Sequence, residues 1–317
     1  MFDLPALRDA AALIRPIVPP TPQFAWPLLA ERLGCEVWVK HENHTPTGAF
    51  KVRGGLVYVD ALKRSTPALA GLITATRGNH GQSLALAARQ AGLPLRILVP
   101  HGNSLEKNAA MRAFGADVVE FGRDFDEARE EADRQAQAEG LHFVPSLHAD
   151  LVRGVATYAL ELLEAVPDLR RVYVPIGMGS GICGLIQTRD LLGLDTEIVG
   201  VVARGADAYA RSVEEGRLVG TERAETLADG MACRVPQAEA LDMIRGGAAR
   251  IVRVDDDEIR QAIRVLHEDT HNLAEGAGAA ALAALIQERD ANRGQRVAVV
   301  LSGANIDRPL LASILGA

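Results

Sequence analysis

One lysine stands where a reactive amine would be built. In residues 41–55, HENHTPTGAFKVRGG, the apolar run Val37-Trp38-Val39 feeds a turn made of Asn43, Thr45, Pro46, Thr47 and Gly48. Lys51 follows at the mouth of a helix that continues through Val57, Tyr58 and Leu62. A lysine there lies near the positive end of the helix dipole and between the apolar Phe50 and Val52. Its ammonium form is disfavoured and its amine becomes the better nucleophile. The competing reading is a solvated surface lysine.

Further stretches join strand ends to small-residue loops. Thr76-Arg77-Gly78-Asn79-His80-Gly81-Gln82 runs into a helix start. The unpaired N–H groups there suit an anion such as a substrate carboxylate; a plain N-cap at Asn79 is the alternative. Val174-Pro175-Ile176-Gly177-Met178-Gly179-Ser180-Gly181-Ile182-Cys183-Gly184 is a strand, a glycine loop and a helix start, where backbone N–H groups can close on a phosphate. Its GSGICG matches GxGxxG, but a dinucleotide site asks for an acid about twenty residues on, and Ala203 and Arg204 hold that place. A purely structural tight turn also remains open. Leu301-Ser302-Gly303-Ala304-Asn305 follows the last apolar strand. Glu275, in AEGAGA, reads equally as a site carboxylate or as a helix N-terminal one. Glu225 and Asp229 could ligate Mg²⁺ or a similar hard ion, although acidic loop residues are more often solvated.

Thr47-Gly48-Ala49-Phe50-Lys51-Val52-Arg53-Gly54 resembles the S/T-G-S/A-F-K-x-R-G signature of the threonine dehydratase and serine racemase family, fold-type II enzymes that use pyridoxal 5′-phosphate (PLP). The resemblance runs from Lys51 to Asn305 with the motifs in the family's order. It implies that Lys51 carries the cofactor as an imine and that Phe50 is among the residues around it. It further implies that Asn79 hydrogen-bonds the cofactor's 3′-oxygen. The loop of Thr76, Arg77, Gly78, Asn79 and His80 would hold an amino acid's carboxylate. Gly177, Met178, Gly179, Ser180 and Gly181 would cup the phosphate, Ser302 would face the pyridine nitrogen, and Glu275 would lie close to the ring. A neutral hydroxyl at that nitrogen gives a weaker electron sink, which favours prompt loss of a β-leaving group. Thr226-Leu227-Ala228-Asp229-Gly230 resembles the family's T-I/L-A-D-G, next to a cation site in some relatives, and so implies a divalent or monovalent cation at Glu225 and Asp229.

The sequence departs from the pattern at Met178 and Ser180, where a four-glycine form is commoner, and at Arg77. Serine racemase-like members carry a serine there as a second acid/base. An arginine stays protonated and is a poor proton shuttle, so racemisation is expected to be weak or absent. The expected reaction is PLP-dependent β-elimination of water from a 3-hydroxy amino acid, giving a 2-oxo acid and ammonia. L-Threonine and L-serine are the family default; 3-hydroxyaspartate, with its second anion at Arg77, and phenylserine stay open. The alternatives are a racemase or β-replacement enzyme of the same fold, a non-catalytic PLP- or amino-acid-binding protein, and a nucleotide-binding oxidoreductase.

The elements that must position these residues alternate. A helix is expected over residues 5–14, an extended proline-rich segment over 16–22 and a short helix over 28–33. After the Val37 strand and the Lys51 unit come strands at 72–76, 96–99, 117–121 and 142–144, with helices at 79–91, 105–114 and 125–139 between them. The charged run 124–139 reads as a solvated helix face. Later strands are expected at 172–174, 198–202, 251–254 and 297–301. Such alternation of apolar, β-branched strands with helices means an α/β protein with parallel sheets covered on both faces. The family resemblance, to fold-type II PLP enzymes of the tryptophan synthase β kind, implies two open parallel-sheet domains. A small one, residues 71–150, would be inserted into a large one made of 1–70 and 151–317. The active site would lie in the cleft between them, beyond the strands' carboxyl ends.

Composition sets the outer bounds. At 317 residues and 48% hydrophobic, the chain can bury two modest α/β cores. A net charge of −7 without a basic cluster argues against nucleic acid as a partner. Cys35, Cys183 and Cys233 are widely spaced, as in a reduced cytoplasmic protein without disulfides or a thiolate zinc site. MFDLPALRDA shows no basic region followed by an apolar core, so no secretion signal is expected. The apolar stretches are too interrupted to span a bilayer, and no appended C-terminal regulatory domain is expected. The partners expected are a small amino-acid substrate and, since relatives are commonly dimers, a second copy of the chain.

Overall fold

Caps and glycine stops cut the chain into short alternating elements. In the computed structural model, which describes residues 2–316, Asp3 begins α1 (Leu4–Ile14) by accepting the Ala6 N–H at 2.9 Å. The proline-rich segment 16–22, expected to be extended throughout, does not straighten at once. The Val18 N–H still donates to the Ile14 carbonyl at 2.8 Å, and the extended part begins at Pro19. A three-residue strand the sequence reading missed, β1 (Gln23–Ala25), follows, and then α2 (Pro27–Leu33), which Gly34 ends at φ 68°. Next come β2 (Glu36–His41) and α3 (Lys51–Ser65).

The next strands form a sheet of their own. β3 (Leu72–Ala75), α4 (Asn79–Ala91), β4 (Leu95–Val99), α5 (Leu105–Ala113), β5 (Asp117–Glu120), α6 (Phe125–Glu139) and β6 (His142–Phe143) give a four-stranded parallel sheet in the order β5-β4-β3-β6. α6 turns only Ala128, Ala132 and Ala136 fully inward, a four-residue spacing that leaves its charged face to water.

The rest builds the larger sheet: α7 (Ala149–Ala165), β7 (Arg171–Pro175), α8 (Ser180–Leu191), β8 (Glu197–Ala203), α9 (Ala208–Glu215), α10 (Ala238–Gly247), β9 (Arg250–Val254), α11 (Asp256–Thr270), α12 (Gly276–Gln287), β10 (Arg296–Leu301) and α13 (Arg308–Leu315). Its six strands run β1-β2-β10-β7-β8-β9, all parallel except the antiparallel edge pair in which Phe24 faces Val39. β10, from the end of the chain, lies between β2 and β7 and sets Val297 opposite Val37. α12, GAGAAALAALIQ, has no polar face, and residues Gly276 to Leu285 are all buried. A helix apolar all round belongs inside, and its glycines and alanines let it lie close to the sheet. The protein is thus α/β, with two parallel sheets, as the alternating pattern predicts.

This topology also gathers the motifs. The loops leaving the carboxyl ends of β2, β3, β7 and β10 carry Lys51, residues 76–80, residues 177–181 and Ser302 respectively.

Candidate active site

Lys51 opens α3 and faces a cavity of about 140 Å³, which Asn79, Gly177–Gly181, Glu275 and Ser302 also line. Its Nζ donates to Ser180 Oγ at 2.8 Å and lies 5.1 Å from the centre of the Phe50 ring. Burial strips the ammonium of water and lowers the pKa to about 8. In the cofactor-free protein, acetylation of Lys51 by acetic anhydride, followed by peptide mass spectrometry, is therefore expected to speed up with pH and level off near pH 8. A solvated lysine would go on accelerating to about pH 10.4. A profile of that second kind would mean that the amine is not desolvated.

Two residues beyond Lys51, α3 is held by a buried ion cluster that sequence reasoning left unread. Arg53 Nε donates to Glu42 Oε2 at 2.7 Å, and Arg53 Nη1 to Glu161 Oε1 at 2.7 Å. Lys40 Nζ donates to Glu161 Oε2 at 2.6 Å and to the Thr21 carbonyl at 2.7 Å. Arg53, Lys40 and Glu42 are fully buried. Burial disfavours the Arg53 cation, but Glu42 and Glu161 outweigh it and raise its pKa.

The glycine loop has the free donors that an anion seat needs. The first intrahelical bond of α8 is from the Cys183 N–H to the Gly179 carbonyl at 3.0 Å, which leaves the amides of Ser180, Gly181 and Ile182 without intrahelical partners. Gly179 holds φ 101°, and a Cβ on Gly177 would stand 2.1 Å from the Gly230 carbonyl oxygen, so neither position admits a side chain. At Met178, where the sequence departs from the four-glycine form, the Tyr209 hydroxyl donates to the main-chain carbonyl at 3.0 Å. A phosphate fits this seat by charge and by donors. An amine of lowered pKa at Lys51 and a hydroxyl at Ser302 on the same cavity fit an aldehyde-bearing pyridine.

Asn79 is not the N-cap of α4; Gly78 takes that place, and no side chain caps the helix. Asn79 instead reaches across to the other sheet. Its Nδ2 donates to Glu275 Oε1 at 2.5 Å, and its Oδ1 accepts from Asn305 Nδ2 at 2.8 Å. Glu275 likewise makes no cap bond to α12. Its carboxylate, 6% exposed, faces the cavity, where burial raises its pKa against the opposing pull of Lys107 and Asn79. His80 Nε2 is buried without a protein partner, and burial, then the charge of Lys51, lowers the imidazole to about 3. Thr76 and Gly78 line the same wall. Arg77 is 45% exposed and lines both this cavity and a second one of about 600 Å³, with Asp229 at 3.7 Å.

The expected ion pair of ligands is not brought together. Glu225 is 75% exposed, beside Arg223 and outside the cavity, while Asp229 lines the cavity and faces Lys107 at 3.3 Å. Among the described residues no group of three or more His, Cys, Asp or Glu side chains is placed to hold a metal, and a hard cation needs several converging oxygens. Also among the described residues, no helix is long and apolar enough to cross a membrane. Sequence reasoning missed Lys107, Phe125, Met231 and Cys233, all of which line the cavity.

This geometry has known counterparts. The chain is 38% identical over 279 residues to an L-threonine ammonia-lyase of Geobacter sulfurreducens, covering 88% of this chain and 69% of the relative. It is 33% identical over 299 residues to an L-threo-3-hydroxyaspartate ammonia-lyase of a Pseudomonas species, covering 93% and 92%. Its fold superposes on the structure of maize serine racemase with a TM-score of 0.92 at 26% identity, covering 98% and 97%. A family model described as pyridoxal-phosphate dependent enzyme matches residues 14–303. By that match the chain belongs to the pyridoxal-phosphate dependent enzymes.

Proposed function

We propose that the protein is an ammonia-lyase that removes water from a small 3-hydroxy amino acid and releases a 2-oxo acid and ammonia. The observation that carries this reading is Lys51, an amine of lowered pKa facing Asn79, Ser302 and the glycine loop in one cavity. PLP, when bound, supplies the electron sink that makes the substrate's α-proton acidic. The amides of residues 177–181 and the α8 N-terminus would hold its phosphate, Asn79 and Glu275 would contact the cofactor, and Ser302 would offer the ring nitrogen a hydroxyl that does not force protonation there. The amides of Arg77, Asn79 and His80 would seat the substrate's carboxylate, while those of Thr76 and Gly78 are held by the Leu98 carbonyl at 3.1 Å and the Thr76 hydroxyl at 3.1 Å. Lys51 Nζ, about half of it neutral at pH 8, takes the proton from the α-carbon, and the β-hydroxyl leaves from the next carbon with a proton, as water. The cavity walls Phe50, Phe125, Met178 and Met231 keep bulk water from that centre. In this reading residues 71–150 form a small domain and residues 1–70 with 151–317 a large one, and the cavity lies between them.

L-Threonine and L-serine are the substrates we assign, supported by the resemblance to threonine ammonia-lyases. Arg77 favours a second reading, 3-hydroxyaspartate. Arg77 lines the cavity, is half-exposed and has only a loose contact to Asp229, so it can receive a second carboxylate. The test is a visible spectrum of the purified protein, followed by L-threonine, L-serine, phenylserine and 3-hydroxyaspartate in turn. A cofactor band that shifts while 2-oxo acid and ammonia appear supports the reading, and the fastest substrate names the class. Arg77→Ala should lower kcat/KM for 3-hydroxyaspartate by roughly 10- to 100-fold, the scale of one charged hydrogen bond, if that is the substrate, and should leave threonine turnover nearly unchanged. Formation of D-serine from L-serine is expected to stay below about a hundredth of turnover, because Arg77 offers no proton to the far face. Racemisation near the turnover rate would overturn the assignment of Arg77. No band after added PLP would overturn the whole reading.

A further inference from the structure

Lys107 belongs to none of the motifs, yet its side chain is 9% exposed and its ammonium lines the cavity between two acids. Nζ lies 3.3 Å from Asp229 Oδ2 and 3.5 Å from Glu275 Oε2. Local physics opposes this placement. Lys107 is the third residue of α5, directly after the Ser104 cap, where the dipole repels a cation and where Glu or Gln would complete the cap. Burial opposes the charge as well, but Glu275 and Asp229 outweigh it and raise the lysine's pKa. Only the tertiary partners explain the residue.

Beyond Lys107 the bonds run in a line. Glu275 Oε1 accepts from Asn79 Nδ2 at 2.5 Å, and Asn79 Oδ1 accepts from Asn305 Nδ2 at 2.8 Å. Asn305 Nδ2 also donates to the Thr47 carbonyl at 2.8 Å. In this arrangement the Asn79 amide has one orientation. Reversed, its oxygen would face the Glu275 carboxylate and its NH₂ group the NH₂ of Asn305. One of its two N–H bonds is committed to Glu275, and the other is left for the cavity.

We propose that Lys107 is a positioning residue for the reaction: its ammonium keeps Glu275 a hydrogen-bond acceptor, and Glu275 in turn holds the Asn79 amide with an N–H presented to the cofactor's ring oxygen. The inference rests on the PLP reading given above. The charged and titratable groups around Glu275 are Lys107 and Asp229 directly, Arg77 beyond Asp229, and Lys51 and His80 across the cavity. Without Lys107, burial and the nearby Asp229 both favour protonation of Glu275. A carboxylic acid there no longer dictates which way Asn79 faces. The N–H that stabilises an anionic ring oxygen is then lost.

The experiment compares wild type, K107M, K107R, E275Q and K107M/E275Q, each stripped of cofactor and reloaded with PLP. It reads the cofactor-free melting temperature, PLP affinity by equilibrium dialysis, the pH midpoint of the visible band, and kcat and KM. K107M should weaken PLP binding roughly tenfold or more, the scale of one charge-assisted hydrogen bond. It should also move the band's midpoint upward by on the order of one unit, because the ring oxygen holds its proton more tightly. K107R should restore both to within about threefold, since it keeps a cation against Glu275. In the E275Q background K107M should add almost nothing, because the residue it acts through is gone. Equal effects in both backgrounds overturn the proposal, as does a raised KM with band and affinity unmoved, which would make Lys107 a substrate contact. Were K107M unable to fold, E275Q alone decides: it must shift the band in the same direction, and an unmoved band overturns the proposal. A wild-type protein that takes up no PLP would instead overturn the functional reading itself.

Discussion

Replacing Lys51 with alanine is expected to abolish the visible cofactor band and to lower turnover by on the order of 10⁴-fold or more. Lys51 is assigned two roles, the covalent tether of PLP and the base at the α-carbon, and a positioned base alone contributes about 10² to 10⁴. Lysine side chains are abundant in solution, but none lies desolvated beside the glycine loop as Lys51 does at 2.8 Å from Ser180. The same substitution should not cost stability in the cofactor-free protein. Burial depresses the Lys51 pKa from 10.5 to about 8, so the unfolded chain binds the proton more tightly than the folded one. Below about pH 8 that preference fully opposes folding, and between about pH 8 and 10.5 the opposition fades, so this group makes wild type more stable as pH rises. K51A should lack that rise and equal or exceed wild type in stability at pH 7. Urea titrations of both apoproteins at pH 7 and pH 10 measure it, and spectra with threonine turnover measure the rest. Steady turnover by K51A would remove Lys51 from the mechanism.

What the sequence shows of this site follows from how local each signal is. The glycine loop and Ser302 sit directly after apolar strands, and Lys51 follows one across a turn rich in Asn, Thr, Pro and Gly, so each signal is local. α4 and α6 have the expected limits, Asn79–Ala91 and Phe125–Glu139, because a glycine closes each of them. β1 is three residues with an exposed Phe24 and Ala25, too short to show any alternation. Asn79 is the instructive case. Its residue type at a helix start speaks for a cap, and only Glu275 and Asn305, 196 and 226 positions away, turn its amide across the cleft. Lys107 is paired over 122 positions to Asp229, and nothing near it in the chain names that partner. The one local trace was a conflict, a cation in the first turn of a helix, and such a conflict is what a tertiary requirement looks like from the sequence. Glu225 and Asp229 show the same limit in reverse, since they face different partners, Arg223 and Lys107. Two acids near in sequence were placed apart, and Asp229 went to Lys107.

The second large effect is on stability, and it concerns the charge cluster beneath Lys51. Arg53→Met is expected to destabilise the cofactor-free protein by about 3–5 kcal/mol, the cost of removing one partner from a buried ion pair. Arg53 serves two carboxylates at once, Glu42 at 2.7 Å and Glu161 at 2.7 Å, and adds the Thr157 hydroxyl at 3.0 Å. Lys40 is the one other cation in the cluster, 2.6 Å from Glu161 but 4.0 Å from Glu42. Removing Arg53 therefore leaves Glu161 paired and Glu42, which is fully buried, with only a distant charge and the Thr21 hydroxyl at 2.6 Å. Burial pushes the Glu42 carboxyl up, and it is Arg53, then Lys40, that outweigh burial and lower it in the native protein. The sign of the pH dependence follows. In R53M the folded pKa of Glu42 rises above its unfolded value, so stability should be regained as pH falls and the carboxyl is protonated. Glu42→Gln added to R53M should recover part of the loss at pH 7 by removing the unpaired charge, a coupling that independent sites would not show. Urea titration at pH 5 and pH 7 reads both effects. R53M within about 1 kcal/mol of wild type at pH 7 would mean that Lys40 and Thr21 alone satisfy Glu42, and that α3 and its lysine are held in place by apolar packing rather than by this cluster.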